Sequence, residues 1–340
     1  MPGRPLIDAA PIDLGVVARF RTDLERLTGE PPAPDRRLGL AVSGGGDSLA
    51  LLLLATAAWP GAVAAATVDH GLRAEAGGEA RFVARLCGDR GVPHDLLRPD
   101  ARPPASGNIQ DWARAARYRC LGRWAERRDI AFLATAHQRD DVAETFLMRA
   151  ARGAGVRSLA AMPDTRALGD AAVLLVRPLL GWTRAALAGI VRAAGIEPVE
   201  DAANADPRFD RARIRRLLAD PDLPAAGLAR AATNLRDVED AMEWLVWREA
   251  NVRLVEDPDG VRLDAADLPF ELQRRLALRA IEAVRQGAGL LDRWRVTAVP
   301  DLVRGLRSAR GGTVADVQAR ALPGHWHFRL APPRRPTEKA

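Results

Sequence analysis

The chain has almost no lysine, only two cysteines and no long apolar run. Lys339 is the single lysine among the 340 residues, so nearly all of the basic charge comes from arginine. Cys87 and Cys120 are far apart and form no C-x-x-C pair, which argues against a disulfide framework and against a zinc or iron–sulfur site. The longest apolar run, Leu49 to Ala58, is too short to cross a membrane. No secretory apolar segment follows the N-terminus, so we expect a cytoplasmic protein with no membrane partner.

The chain carries a modest net positive charge. A net charge of +6 and an isoelectric point near 10.5 favour a polyanionic partner. The abundance of arginine, alanine, glycine and proline is also typical of GC-rich coding, which weakens the case for any single arginine. Guanidinium groups nevertheless suit bidentate contacts with phosphate.

From Leu38 onward, apolar strand patterns alternate with helical patterns. Strands are predicted at 38–43, 63–69, 94–98, 130–136 and 172–177, and helices near 48–59, 76–90, 108–128, 140–152 and 183–194. This alternation predicts an α/β fold, in which a doubly wound parallel sheet binds ligands at the carboxyl ends of its strands.

The alternation stops near residue 218, where helical spacing takes over. One long helix or two shorter ones are predicted at 222–252, further helices at 269–286 and 296–307, and two short strands at 313–318 and 325–330. We therefore predict an N-terminal helix and lead-in at 1–36, a catalytic domain at 37–218, a mainly helical domain with a short hairpin at 219–331, and a disordered tail at 332–340.

A glycine turn follows the first strand. Its sequence is Ser43-Gly44-Gly45-Gly46-Asp47-Ser48, and an apolar helix begins directly after it. Glycines allow close backbone approach to a ligand, and the helix N-terminus favours an anion, so the turn predicts a phosphate site. The lysine of the Walker pattern is absent. The pattern SGGxDS resembles the PP-loop of the N-type ATP pyrophosphatases, which cleave ATP between its α and β phosphates and adenylate an acceptor.

Two further groups of polar residues lie near predicted strand ends or helix starts. Asp69, His70 and Arg73 follow the second strand and either line a nucleotide pocket or form an ordinary polar loop. Arg114 and Arg117 share a helix face near Tyr118, where they either contact phosphates or form a solvated face.

The fourth strand is followed by a histidine and a cluster of acids. His137, Asp140, Asp141 and Glu144 lie at the start of a helix, where two adjacent carboxylates would also stabilise the helix dipole. The clustering exceeds what a cap requires. Such a cluster can bind an ammonium group, hold magnesium or act as a base.

Arginines mark the end of the predicted catalytic domain. Arg152 ends the helix that carries the acids, and the segment 200–216 contains Arg208, Arg211, Arg213 and Arg215. A basic loop of this kind either contacts an RNA backbone or serves as a charged interdomain linker.

Taken in order, these segments resemble the tRNA(Ile)-lysidine synthetase family. The resemblance runs through SGGGDS (43–48), DHGLR (69–73), NIQDWARAARY (108–118), AHQRDDVAETFLMRAARGAGVRSLAAM (136–162), RPLL (177–180) and EDAANADPRFDRARIR (200–215). It covers about half of the chain. The segment with the histidine, the double aspartate and the glutamate is more selective than the glycine turn. Resemblance in the helical region is weak, and its short length leaves open how the acceptor stem of the tRNA is contacted.

The resemblance implies a two-step reaction on the wobble cytidine of the isoleucine tRNA with a CAU anticodon. ATP adenylates the cytosine C2 oxygen and releases pyrophosphate, and the ε-amine of free lysine then displaces AMP to give lysidine. The partners implied are this tRNA, free lysine, ATP and Mg²⁺. A homodimer is one alternative for the assembly.

The resemblance also assigns roles to residues. Ser43, Gly44, Gly45, Gly46, Asp47 and Ser48 would hold ATP phosphates, with Asp69, His70 and Arg73 beside the nucleotide. Asp47, His137, Asp140, Asp141 and Glu144 would form the catalytic group, with Asp47 and Asp141 as magnesium ligands. Arg114, Arg117, Arg152, Arg208, Arg211, Arg213 and Arg215 would contact phosphates of the tRNA or the nucleotide. Asp140 or Asp141 is favoured over His137 as the base that deprotonates lysine.

Three alternatives stay open at this point. A tRNA thiolase of the same superfamily would adenylate a base and add sulfur, but it generally needs a reactive cysteine pair or an iron–sulfur cluster. In amide-forming relatives that act on small molecules, the arginine-rich linker and the helical region would have no function. A non-catalytic adenine-nucleotide-binding module would not need the full set of acids.

Overall fold

The computed structural model describes residues 12–71, 76–100, 104, 109–168, 172–199, 210–220, 222–290, 294 and 296–332. The chain divides into two units, Met1–Arg236 and Asp237–Ala340. The division lies inside a long helix, C-terminal to the boundary predicted between residues 218 and 219. The first part of this helix belongs to the first unit because Ala229 and Ala232 pack against Val142 and Ala143.

A six-stranded sheet organises the first unit. Its strands are β1 (Leu38–Ala41), β2 (Val63–Val68), β3 (His94–Leu97), β4 (Phe132–Ala134), β5 (Thr165–Ala167) and β6 (Leu174–Val176). The strand order is β3-β2-β1-β4-β6-β5, and all pairs are parallel except the pair of β5 with β6. The central strands are buried apolar runs, as a sheet covered on both faces requires.

Helices cover both faces of this sheet. They are α1 (Leu14–Thr28), α2 (Gly46–Ala58), α3 (Ala76–Gly88), α4 (Ile109–Arg127), α5 (Arg139–Ala150), α6 (Val156–Leu159), α7 (Arg184–Ala193) and α8 (Asp210–Leu217), followed by α9 (Ala225–Arg253), which crosses the division. Helices α1, α2, α3 and α7 share one core, in which every residue from Leu49 to Ala55 is buried. Helix α4 packs on the other core through Leu121 and Trp124. The predicted doubly wound α/β fold is confirmed.

One strand of this sheet was not predicted. Strand β5 has three residues, two of which are exposed, and it lies antiparallel at the sheet edge. A strand this short and exposed carries no apolar run for a sequence pattern to detect.

The second unit combines helices with an antiparallel sheet. It contains the rest of α9, then β7 (Leu254–Asp257), β8 (Gly260–Leu263), α10 (Phe270–Gly287), α11 (Val299–Arg307), β9 (Gly312–Val314), β10 (Val317–Leu322) and β11 (His325–Leu330). The strand order is β7-β8-β11-β10-β9. The structure thus adds β7 and β8 to the predicted hairpin, because two strands of only four residues did not stand out from the helical pattern around them. The predicted strand at 313–318 is wrong in one respect, because a turn at Ala315 and Asp316, both with positive φ, divides it between β9 and β10. The predicted tail lies outside the described residues from 333 onward.

Within the described residues, no helix has the combination of length and apolar character that crossing a bilayer requires.

Candidate active site

The glycine turn connects β1 to α2 at the carboxyl edge of the sheet. Gly44 has φ of +90°, and a Cβ there would lie 3.3 Å from Val199 Cγ2, so this position requires glycine. Gly45 caps α2 without any side-chain hydrogen bond. The first turn of the helix therefore presents its backbone N–H groups and positive dipole end without a side-chain oxygen that would compete with an anion.

Two serines fix the shape of this turn. The Ser48 hydroxyl donates to Gly45 O at 2.8 Å and accepts the Ser43 N–H at 3.2 Å. Ser48 is buried and Ser43 is exposed. Ser48 therefore closes the turn from inside, while Ser43 lies at its open side.

The acids of α5 form a helix cap and an ion cluster at once. Gln138 caps the helix by accepting the Asp140 N–H at 2.6 Å, and the Gln138 N–H donates to Asp141 Oδ2 at 3.1 Å. The capping alternative considered from sequence thus applies to Asp141. Asp140 has a different partner, because its Oδ2 accepts the backbone N–H of Arg184 at 2.8 Å.

Glu144 lies at the centre of the ion cluster and is fully buried. Its Oε1 accepts hydrogen bonds from Arg184 Nη2 at 2.7 Å and from Arg215 Nε at 2.8 Å. Burial by itself raises the pKa of Glu144, but the hydrogen bonds from Arg215 and Arg184 outweigh burial and hold the pKa below its usual value. An ionised carboxylate that two arginines already hold is a poor proton acceptor and a good positioning group.

Asp47 of the glycine turn is placed beside this cluster. Its pKa is raised to about 6, first by burial and then by the negative charge of Asp141, while Arg184 and Arg215 act in the opposite direction. Two carboxylates from distant segments are thus close enough to repel each other. Hard oxygen donors in this arrangement suit a cation such as Mg²⁺.

The remaining predicted residues occupy the surrounding strand ends and helices. His137 is half-buried, and its Nδ1 lies 3.0 Å from Thr135 Oγ1. Asp69 accepts the Gly71 N–H at 2.9 Å, which shapes the loop after β2. The His70 ring lies edge-on to Trp112 with ring centroids 6.2 Å apart, and burial followed by the charge of Arg117 lowers the pKa of His70.

The predicted arginines do not form one group. Arg114 and Arg117 contact Tyr118 on α4, and Arg215 binds Glu144. Arg152 and Arg213 are exposed residues that line a cavity of about 690 Å³ between α5 and α8. Arg73, Arg208 and the side chain of Arg211 lie outside the described residues.

Sequence reasoning missed Arg184. It lies at the first position of α7, where a positive charge opposes the helix dipole, and this unfavourable placement was the available signal. Its contacts with Glu144 and Asp141, the latter at 3.5 Å, explain why it is placed there.

The chain also shows clear similarity to known proteins. A family model described as a PP-loop domain matches residues 17–221. A tRNA(Ile)-lysidine synthase of Zymomonas mobilis is 44% identical over 303 residues, which cover 88% of this chain and 90% of that protein. One from Novosphingobium aromaticivorans is 42% identical over 330 residues, which cover 94% and 95% of the two chains.

The chain belongs to the tRNA(Ile)-lysidine synthase family. Among solved structures, this member of the lysidine synthase family resembles the U34-tRNA thiolase NcsA of Methanococcus maripaludis, with a TM-score of 0.55 and 17% identity. That alignment covers 66% of this chain and 79% of the thiolase, and at this identity it supports the fold alone.

Proposed function

We propose that this protein uses ATP to join the ε-amine of lysine to C2 of the wobble cytidine in the CAU-anticodon tRNA(Ile). The reaction gives lysidine, AMP and pyrophosphate. The observation that carries the proposal is the placement of Asp47 of the PP-loop beside the acids of α5, within a chain more than 40% identical to lysidine synthases over most of its length.

The glycine turn would hold the ATP phosphates. The N-terminal N–H groups of α2 and the exposed hydroxyl of Ser43 suit the β and γ phosphates. These groups would stabilise the charge that builds up as the cytosine C2 oxygen attacks the α phosphate and pyrophosphate leaves. Asp69 and His70 lie at the neighbouring strand end, where a nucleotide would extend.

The chemistry of Asp47 and Asp141 fits Mg²⁺. When bound, the ion would neutralise charge on the phosphates and pull the pKa of Asp47 back down. This role for the two residues is part of the proposal.

The acids of α5 would also bind the lysine substrate. Its ε-ammonium has a pKa of about 10.4 in water and must lose a proton before the amine can attack C2 and displace AMP. Asp140 and Asp141 are our candidates for the base, ahead of His137. Glu144 is held by two arginines and would instead position Arg184 and Arg215. The target cytosine must leave its stack to reach these groups.

The two cysteines oppose the thiolase alternative. Burial raises the pKa of Cys87 to about 11 and also raises that of Cys120, so both thiols are protonated at neutral pH. Reactive thiols have lowered pKa values instead.

We assign the reaction to the cytoplasm, where ATP, lysine and tRNA are available. A homodimer is one alternative for the oligomeric state of the protein.

The test is to incubate the protein with ATP, Mg²⁺ and the CAU-anticodon tRNA(Ile), with and without lysine, and to follow the mass of the wobble nucleoside. We expect a mass gain that requires lysine, together with one pyrophosphate per modified tRNA. Pyrophosphate release without lysine incorporation would contradict the proposal. The same tRNA with uridine at the wobble position is the matched control and should remain unmodified.

A further inference from the structure

Tyr118 of α4 is surrounded by arginines. The guanidinium carbons of Arg114 and Arg117 each lie 5.3 Å from the centroid of its ring, and that of Arg166 on β5 lies 4.6 Å away. Arg177, directly after β6, lies against the same residue and is 3% exposed. We call these five residues the Tyr118 cluster.

Three of the four arginines in this cluster form no ion pair with a carboxylate of the described residues, namely Arg114, Arg166 and Arg177. The nearby Asp164 carboxylate is bound by Arg26 at 2.9 Å. The Arg177 guanidinium donates to Pro163 O, whereas its Nε and the Tyr118 hydroxyl are buried without a hydrogen-bonding partner of good geometry. Buried cations and polar atoms in this state are costly unless a ligand completes them.

The pKa values of Arg177 and Tyr118 reflect the concentration of positive charge around them. Burial lowers the pKa of Arg177, and the like charge of Arg166 lowers it further, while the Tyr118 phenol acts in the opposite direction. Burial raises the pKa of Tyr118, but the charges of Arg117 and Arg114 outweigh burial and lower it. An anion bound here would relieve this repulsion.

Further positive charges lie near the cluster. The charge of Arg117 contributes to the lowered pKa of His70 after β2, and the charges of Arg114 and Arg236 contribute to the lowered pKa of Arg149 near the end of α5. Positive charge therefore extends from the end of β2 to the end of α5. The elements that carry this charge are not those that form the glycine turn.

We propose that the Tyr118 cluster is a preformed phosphate site that binds a backbone phosphate of the tRNA, with Arg166 and Arg177 as binding residues alongside Arg114 and Arg117. This inference rests on the proposed function for the identity of the RNA. Guanidinium groups on three separate elements suit a phosphodiester, which presents oxygens in several directions. A nucleotide phosphate has the same chemistry, so the experiment must separate the two sources.

The experiment compares Arg166→Gln with Arg119→Gln. Both arginines are exposed, and Arg119 lies on α4 next to Tyr118 but makes no contact with its ring in the described structure. We would measure the affinity for unmodified CAU-anticodon tRNA(Ile) transcript at several salt concentrations, without ATP, and the affinity for ATP separately by calorimetry. Thermal melting of each variant confirms folding.

We expect Arg166→Gln to weaken tRNA binding by about 5- to 30-fold and to lower the slope of log K against log salt by about 1, with ATP affinity unchanged. A loss of ATP affinity with unchanged tRNA affinity would keep the phosphate site but assign it to the nucleotide. If Arg166→Gln matches Arg119→Gln in both assays, the inference is overturned.

Failure of the phosphate site and failure of the proposed function would give different results. If wild-type protein makes lysidine and Arg166→Gln still binds tRNA like Arg119→Gln, only the phosphate site fails. If wild-type protein makes no lysidine but Arg166→Gln loses RNA affinity, the phosphate site stands and the proposed reaction fails.

Discussion

Each unit of the chain contains a buried cluster of arginine and carboxylate groups, and the two clusters are organised differently. In the second unit, Arg275 is 3% exposed and donates to Glu239 through both Nη atoms, at 2.8 and 2.6 Å. It also donates to Glu243 at 2.9 Å and to Glu271 at 2.8 Å. In the first unit, Arg184 and Arg215 share one oxygen of Glu144.

The pKa values reflect this difference in organisation. In the second unit, the hydrogen bonds that Arg275 donates to Glu239 and Glu271 raise the pKa of Arg275, and the hydrogen bonds that Glu271 accepts from Arg274 and Arg275 lower the pKa of Glu271 to about 2, so these two charges are stabilised. In the first unit, the pKa of Asp47 is raised to about 6 by burial and by Asp141. A cluster that stabilises its charges contributes to the stability of the fold, whereas a cluster that destabilises one of its own charges is a candidate ligand site.

The largest effect should come from breaking the cluster of the second unit. Arg275→Met removes the guanidinium group that binds the buried Glu239 and should lower the free energy of unfolding by about 3–5 kcal/mol, measured by denaturant titration. Arg304→Met removes an exposed ion pair with Asp301, whose side chains are 63% and 83% exposed, and should cost less than about 1 kcal/mol. Equal losses in the two variants would show that the Arg275 cluster is not a stabilising element.

Asp47→Asn should not destabilise the protein, in contrast to Arg275→Met. It removes a charge that the folded protein disfavours, so we expect the melting temperature to stay the same or rise. Because the same carboxylate is proposed to act at the ATP phosphates, pyrophosphate release should fall by about 10²- to 10³-fold. Asp35→Asn, at an exposed position before β1, is the matched control and should change neither quantity. An active Asp47→Asn protein would remove Asp47 from the catalytic group.

The smallest effect is a pH dependence of stability that Asp47 confers. Its pKa is about 6 in the folded chain and 3.8 in the reference state, so the folded protein binds more protons between these values. The contribution of Asp47 is therefore fully present below about pH 3.8 and is lost as the pH rises through about 6. Without Mg²⁺, the melting temperature of wild type relative to Asp47→Asn should fall across this range. A flat difference would mean that Asp47 is not under electrostatic strain.

Much of the fold follows from local patterns. The apolar runs of β1 and β2, the helical spacing of α2 and the glycine turn between β1 and α2 are all local features, and most predicted elements agree with the structure to within a few residues. The predicted strand at 313–318 is divided between β9 and β10, and helices α6 and α8 were not predicted, with α8 lying in the segment interpreted as a basic loop or linker. The strands that were not predicted are β5, β7 and β8, which have only three or four residues each. Their formation depends on the neighbouring strand more than on their own sequence.

The candidate site was predicted less completely than the fold. The glycine turn and the acids of α5 were found because each forms a dense local group in sequence. Arg184 and Arg166 were missed because neither stands in a motif, and their importance comes from partners far away in the chain. Arg184 lies 40 residues from Glu144, and Arg215 lies 71 residues from it.

The sequence by itself determined the strand, turn and helix that form the proposed phosphate site, since backbone freedom at glycine and apolar periodicity are properties of short segments. Only the tertiary structure decided which charges meet. It placed two arginines on Glu144, brought Asp47 against Asp141 and gathered four arginines around Tyr118. Electrostatic interactions depend on distance and burial, and both quantities are set by the packing of segments that are remote in sequence.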